Sequence, residues 1–285
     1  MPKNESGPKT LVGCQAWGYD DWKTLRGGPT VFFPYGIRPD EKLSFYSKIF
    51  DTVEADTTFY GTPKVSDLEN WYRQVPEDFI FSLKMPRDVT HAHSLSKSSF
   101  SFAEDFFRRL AVLKNKVGVV LIQLPQSFKM TRGTTEDLRN FLEFLKFLPC
   151  EFRFAIEFRS PEWFDPAIFE LLKKHNTALC LGENEFLSQE ILVKALESPT
   201  ADFAYFRFSG RRDLTKLDRI QRPHDESLVL WAPLVKKLQN EGRDCYVYFS
   251  NLFEGHSPTS ALKFRKLLGQ RVTDPEEFNT SPSLF

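Results

Sequence analysis

No apolar run in this chain approaches the roughly 20 residues that a membrane-spanning helix needs. The opening M-P-K-N-E-S-G-P-K-T has no apolar centre, so a secretory signal is not expected and a cytoplasmic location is. Neither sign of charge is in surplus: Lys plus Arg and Asp plus Glu number 38 each. Proteins that live on nucleic-acid phosphates usually carry a basic excess, which makes nucleic acid a disfavoured partner. Cysteine is scarce, with four residues and no C-x-x-C pair, so neither a disulfide framework nor a structural zinc is expected. Cys14, Cys180 and Cys245 lie in apolar runs, where a thiol packs as a small hydrophobe; Cys150 is read as structural too. Also missing are a G-x-S-x-G elbow, a Walker loop and a dinucleotide fingerprint. Their absence excludes serine-hydrolase, P-loop and Rossmann readings, and no nucleotide cofactor is expected.

Phenylalanine is abundant, with 29 residues, and points to a Phe-packed core. Eight short apolar runs, at 10–14, 52–56, 79–84, 117–123, 152–157, 177–181, 203–208 and 244–249, alternate with longer segments. Most are continuous rather than alternating, as strands buried on both faces should be. The segments between them have helical period. Leu138, Phe141, Leu142, Leu145 and Leu148 form one such stripe, and Leu228, Trp231, Leu234, Val235 and Leu238 another. Ser101, Thr134 and Ser257 are expected helix starts, because a hydroxyl can satisfy free N–H groups there. The fold expected is α/β, a single (β/α)8 TIM-like barrel over 10–272, and 285 residues suit one such domain. Residues 1–9 read as a flexible segment and 273–285 as a loosely attached tail. An open doubly wound sheet is the rival, but G-C-Q-A-W-G-Y (13–19) after the first run is aromatic where a phosphate loop would be glycine-rich.

Active sites of such barrels are built at the C-terminal strand ends. Those positions hold Gln15 and Trp17, Glu54 and Asp56, Lys84, Gln123, Glu157 with Arg159, Glu183, Arg207, and Tyr248 with Asn251. Every strand finishes in a group able to bond a ligand. The rival reading is a mouth plugged by its own ion pairs.

Six segments in order resemble the YecE-like family, the domain of unknown function 72. They are E-A-D-T-T-F-Y (54–60), K-M-P-R-D-V-T-H (84–91), Q-L-P-Q-S-F (123–128), E-F-R-S-P-E-W-F (157–164), Y-F-R-F-S-G (205–210) and Y-V-Y-F-S-N (246–251). The resemblance runs over residues 11 to 268. It implies a TIM barrel and names no reaction. The chain departs from that family's usual pattern at Asp56, where Asn is common, and at Ser160 and Ser209, where His is common. It departs again at Ser250, where the strand often ends in two asparagines. The two absent imidazoles leave histidine-based catalysis and metal binding without support.

From these residues a working site follows. Glu157 is expected as general acid or base, with Glu54 as its partner and Lys84 as the third catalytic group. Arg159 and Arg207 would hold an anionic group beside Lys84, and Trp17 and Tyr60 would stack on a ring. Asp56, Gln123, Tyr248 and Asn251 complete the binding set. Arg211, in S-G-R-R-D (209–213), would take a phosphate, with Gly210 letting the backbone approach. His91 and His93 read as hydrogen-bonded loop residues rather than metal ligands, as does His256. The reading is a hydrolase or lyase acting on a small phosphorylated or sugar-containing substrate. A non-catalytic small-ligand module and a barrel endonuclease are the alternatives.

Overall fold

The computed structural model describes residues 7–148 and 152–278, so Cys150 lies outside the described residues. Its eight strands all run parallel. They are β1 (Thr10–Gln15), β2 (Thr52–Ala55), β3 (Ile80–Lys84), β4 (Val117–Gln123), β5 (Arg153–Glu157), β6 (Thr177–Leu181), β7 (Phe203–Phe208) and β8 (Asp244–Phe249). β1 pairs with both β2 and β8, so the sheet closes on itself as the expected barrel. The helices around it are α1 (Lys42–Tyr46), α2 (Val65–Gln74), α3 (Phe100–Leu110), α4 (Arg132–Leu145), α5 (Pro166–Lys174), α6 (Gln189–Ala195), α7 (Asp225–Asn240), the single turn α8 (Asn251–Glu254) and α9 (Ser257–Leu267). None of these is long and apolar enough to cross a membrane.

Alternation along each strand sorts the side chains into two cores. The outer one fills the space between sheet and helices and takes most of the phenylalanines, among them Phe81, Phe106, Phe141, Phe206 and Phe249. There Phe208 stacks on Phe249 with ring centroids 4.7 Å apart, and Phe264 of α9 closes over both. The inner core is small. It consists of Val119, Leu121, Ala155, Ala178, Cys180, Phe203, Tyr205, Tyr246 and Tyr248. Cys14, Cys180 and Cys245 are buried free thiols.

Helix periodicity read from sequence holds in detail: Leu138, Phe141, Leu142 and Leu145 face inward from α4, and Leu228, Trp231, Val235 and Leu238 from α7. Leu148 lies past the end of α4. The expected helix starts shift. α4 is capped by Thr131, whose hydroxyl accepts the Thr134 N–H at 3.2 Å, so Thr134 is the third helical residue. α3 begins at Phe100, which puts Ser101 inside it. Ser257 does open α9, but its hydroxyl turns to Asn251 at 2.9 Å instead of capping the helix. The last described residues, Pro275–Phe278, form a 3-10 turn that sets the Phe278 ring 5.9 Å from Phe45.

Candidate functional site

The C-terminal end of the barrel gathers charge from four strands. Arg207, on β7, is the hub. Its Nε donates to Glu54 Oε2 at 2.8 Å and its terminal nitrogens to Glu54 Oε1, also at 2.8 Å, and to Glu157 Oε2. Glu54 comes from β2 and Glu157 from β5, so one guanidinium ties three strands together across the barrel axis. Tyr205, two residues before Arg207 and so on the same inner face, donates to Glu54 Oε2 at 2.7 Å. Gln123 Nε2 donates to Glu157 Oε1 at 2.7 Å, and Arg159 Nε reaches the same oxygen at 3.0 Å. Glu54, Glu157, Gln123 and Arg207 are all buried.

Below this clamp Tyr248 meets Thr52 and Ser82, its hydroxyl 2.7 and 2.8 Å from theirs. At the opposite end of the barrel Arg153 pairs with Asp244 at 2.8 Å and bonds the Tyr246 hydroxyl, closing that side. Among the described residues, then, the charge inside the barrel gathers at the C-terminal end, with one ion pair closing the other.

The clamp sets the protonation of its members. Burial alone would raise the Glu157 carboxyl, but Arg207, Arg159 and Lys84 outweigh it and hold it down at about 2. An acid that strong is ionised throughout the neutral range and has no proton to give, so Glu157 is a fixed anion. Lys84 is the opposite case. Burial, then the charge of Arg207, pulls its ammonium down to about 8, against the opposing pull of Glu157 and Glu54. Its Nζ lies 4.0 Å from the centroid of the Phe59 ring. Among the described residues no carboxylate pairs with it, whereas Arg207 and Arg159 both hold carboxylates. The Asp56 carboxyl is raised by burial and by Glu54. Asp56 has left β2 and opens a 3-10 turn, Asp56–Phe59, fixed by the Thr58 hydroxyl on the Ala55 and Lys84 carbonyls.

Of the remaining residues expected at the site, several lie elsewhere. Trp17 packs edge-on against Trp71 of α2, 5.0 Å between centroids, and Phe81 of the outer core. Tyr60 is 73% exposed, beside Phe59. Tyr248 is sealed inside the barrel beneath the clamp. Asn251 accepts from Trp22 Nε1 at 3.0 Å and from Ser257, which fastens the loop after β1 to α9. Arg211 is exposed on the loop after β7. Gly210 does permit close approach, but by the Leu252 backbone, whose carbonyl oxygen would lie 2.0 Å from an added Cβ.

The sequence reading passed over two groups, Tyr205 and Lys129. Tyr205 was legible from β7 parity. His91, read as a hydrogen-bonded loop residue, sits edge-on to Phe59 at 4.9 Å, its Nδ1 2.9 Å from the Thr90 hydroxyl. Burial, then Lys84, Arg159 and Arg87, pushes its ring down to about 4, so it is neutral near pH 7. Lys129, after β4, bonds Ser160 after β5 at 3.1 Å. Among the described residues no group of three or more His, Cys, Asp or Glu is arranged to hold a metal.

The profile of the family described as "Protein of unknown function DUF72" matches residues 11–283. The chain is 23% identical to the UPF0759 protein YunF of Bacillus subtilis over 278 residues, covering 90% of this chain and 94% of that protein. It is 30% identical to the UPF0759 protein YecE of Escherichia coli K12 over 153 residues, 54% of this chain and 49% of that one. A crystal structure of a DUF72 family protein from Thermotoga maritima superposes with a TM-score of 0.73 at 27% identity, covering 92% of this chain and all of that one. The catalytic domain of a Streptomyces mannanase superposes at 0.54 with 10% identity, over 98% of this chain and 89% of that one, a likeness of fold alone. With its motifs, closed barrel and matched length in agreement, the chain belongs to the DUF72 family.

Proposed function

We propose that the protein is an enzyme, a hydrolase or lyase, acting on a small phosphorylated or sugar-containing substrate at the C-terminal mouth of the barrel. One observation carries this reading: among the described residues, no carboxylate pairs with the Lys84 ammonium at the mouth. Arg207 is paired with Glu54 and Glu157, and Arg159 with Glu157, whereas Lys84 meets only the Phe59 ring. Asp56 adds a third carboxyl, raised by burial and by Glu54 against the opposing pull of Lys84 and Arg207. An anion bound between Lys84 and Arg159 would pair with both in a region poorly screened by water. Arg87 and Lys129 add positive charge at the rim. In this reading Arg207, Glu54 and Glu157 form the rigid floor, and Lys84 is the group that moves protons or reacts, because its pKa lies near the working pH.

The test is thermal melting with and without millimolar phosphate, sugar phosphates and neutral sugars, followed by phosphorus NMR for turnover. A ligand at a hundred times its Kd stabilises by about 2.7 kcal/mol, so phosphorylated compounds should raise Tm by several degrees. Lys84→Met should lose that response. A melt unmoved by every compound overturns the reading. The two acids at the floor are both occupied by Arg207, which favours a binding module over a two-carboxylate glycosidase. Binding without turnover across the sugar phosphates would decide for that module.

A further inference from the structure

We infer that Lys84 is an imine-forming amine: a small carbonyl compound bearing an anionic group condenses with its Nζ. This rests on the reading of the mouth as an anion site and names the reacting atom and the substrate class.

The fold treats its buried lysines consistently, and Lys84 is the exception. Lys42 is buried and its Nζ bonds the Gly18 carbonyl at 2.6 Å and Asp20 at 2.7 Å. Lys116 is buried and bonds the Tyr72 and Val75 carbonyls, each at 2.9 Å. Lys84 is half-buried at the end of β3, and among the described residues its Nζ has no hydrogen-bond acceptor, only the face of Phe59. The Lys84 amine is not among the sealed, unpartnered polar atoms, so a carbonyl compound can reach it. Its backbone is held firmly, with the Thr58 hydroxyl on the Lys84 carbonyl at 2.6 Å and the Met85 N–H on Leu121 O at 2.8 Å. The amine is thus presented from a fixed strand end.

Its surroundings suit a carbonyl compound with a charged group. Arg159 is near enough for its charge to act on Lys84, and with its Nε on Glu157 its terminal nitrogens offer a fork for a carboxylate or phosphate. Gln15, which is in register with Glu54, ends β1 with Nε2 buried and without a partner, a donor available to a bound oxygen. Asp56 is a mouth carboxyl not tied to an arginine, its carboxyl raised by burial and by Glu54 against the pull of Lys84 and Arg207. The depressed pKa of about 8 leaves a substantial neutral fraction near pH 7.5, roughly two hundredfold more than an ordinary lysine with a pKa near 10.4 has.

The chemistry balances without an oxidant or reductant. The lone pair of neutral Nζ attacks the carbonyl carbon and forms the C–N bond, while the C=O π pair moves to oxygen, which takes a proton. The carbinolamine then takes a second proton on that oxygen and expels it as water. The nitrogen, which gave up one proton as the carbinolamine formed, closes the C=N bond with its lone pair, and the resulting iminium releases its remaining N–H proton. Amine and carbonyl give imine and water.

The experiment incubates the full chain at pH 7.5 with pyruvate or with dihydroxyacetone phosphate in the presence of cyanoborohydride, which reduces any imine to a stable secondary amine. Peptides are then analysed by mass spectrometry. Lys84 should be labelled at least about tenfold faster than the exposed Lys64 and Lys97, given its larger neutral fraction. Inorganic phosphate should slow that labelling. Lys84→Arg should keep the phosphate-induced rise in Tm and lose the rapid label, while circular dichroism confirms that it folds. Labelling of Lys84 no faster than that of Lys97, with both probes, overturns the inference. If phosphate still raises Tm in that case, the anion site stands and only the imine falls; if phosphate has no effect either, both fall.

Discussion

Arg207 came out of the sequence as one of three cations for a ligand, and the structure gives it a different task. All three of its nitrogens are bonded to Glu54 or Glu157, and it is 6% exposed. Removing one partner of a buried ionic group leaves the others uncompensated, which typically costs 3–5 kcal/mol. Arg207→Ala should therefore destabilise by roughly that amount in urea unfolding at pH 7. The deficit should also depend on pH. In the wild type Glu157 titrates near 2, below its unfolded value of about 4.3, so its stabilising contribution is present above about 4.3 and lost as pH falls toward 2. Without Arg207 the buried carboxylates shift upward instead and are relieved by protonation. The gap between wild type and variant should then narrow on going from pH 7 to about 4. A gap below about 1 kcal/mol at pH 7, or one that widens with acid, would show that Arg207 is not the keystone of the clamp. The charges themselves were legible, because strand parity puts Glu54, Glu157 and Arg207 on inner faces at strand ends. Their pairing was not, since it joins β2, β5 and β7 across the barrel, and no sequence spacing encodes which cation reaches which acid.

At the scale of elements, the eight runs were legible because parallel strands buried on both faces leave unbroken apolar stretches. Their ends were less so. β2 stops at Ala55 and not Asp56 because the Thr58 side chain captures two carbonyls and turns the chain. The same kind of local event displaced the cap of α4 to Thr131. β6 and β7 show a tighter constraint. Gly182, directly after β6, has φ +103, and an added Cβ would lie 2.3 Å from the Arg207 carbonyl oxygen. This glycine is needed both for its left-handed backbone and for the approach of the strand that carries the clamp. Gly182→Ala should cost at least 1–3 kcal/mol from backbone strain, and more from the displaced β7. It should also weaken the response of Tm to phosphate, because shifting Arg207 disturbs Glu157 and through it Arg159. A variant within about 0.5 kcal/mol of wild type, with an unchanged phosphate response, would mean that this junction does not constrain the clamp.

For the molecule as a whole, the question is whether the mouth serves a small anion or a long one. Lysines and arginines equal aspartates and glutamates at 38 each, so there is no net field to gather a polyanion from solution. Four positive groups of the mouth, Lys84, Arg87, Lys129 and Arg159, come from the ends of β3, β4 and β5. Of these only Arg87 and Lys129 are exposed, while Lys84 and Arg159 are half-buried. A duplex resting on the rim would meet the exposed pair readily and the recessed pair poorly. Each neutralised phosphate contributes about −0.9 to the slope of log K against log salt. Contacts by these four would give a slope of about −4, and by two a slope of about −2. Fluorescence anisotropy with a labelled duplex, read at roughly 50 and 200 mM salt, should therefore show weak binding and a shallow slope. Millimolar phosphate, by contrast, should still shift Tm at the higher salt, since a recessed site is screened less than a surface one. A duplex Kd below micromolar near 150 mM salt, with a slope steeper than about −6, would require a basic track well beyond these four residues and would favour nucleic acid over the small anion proposed.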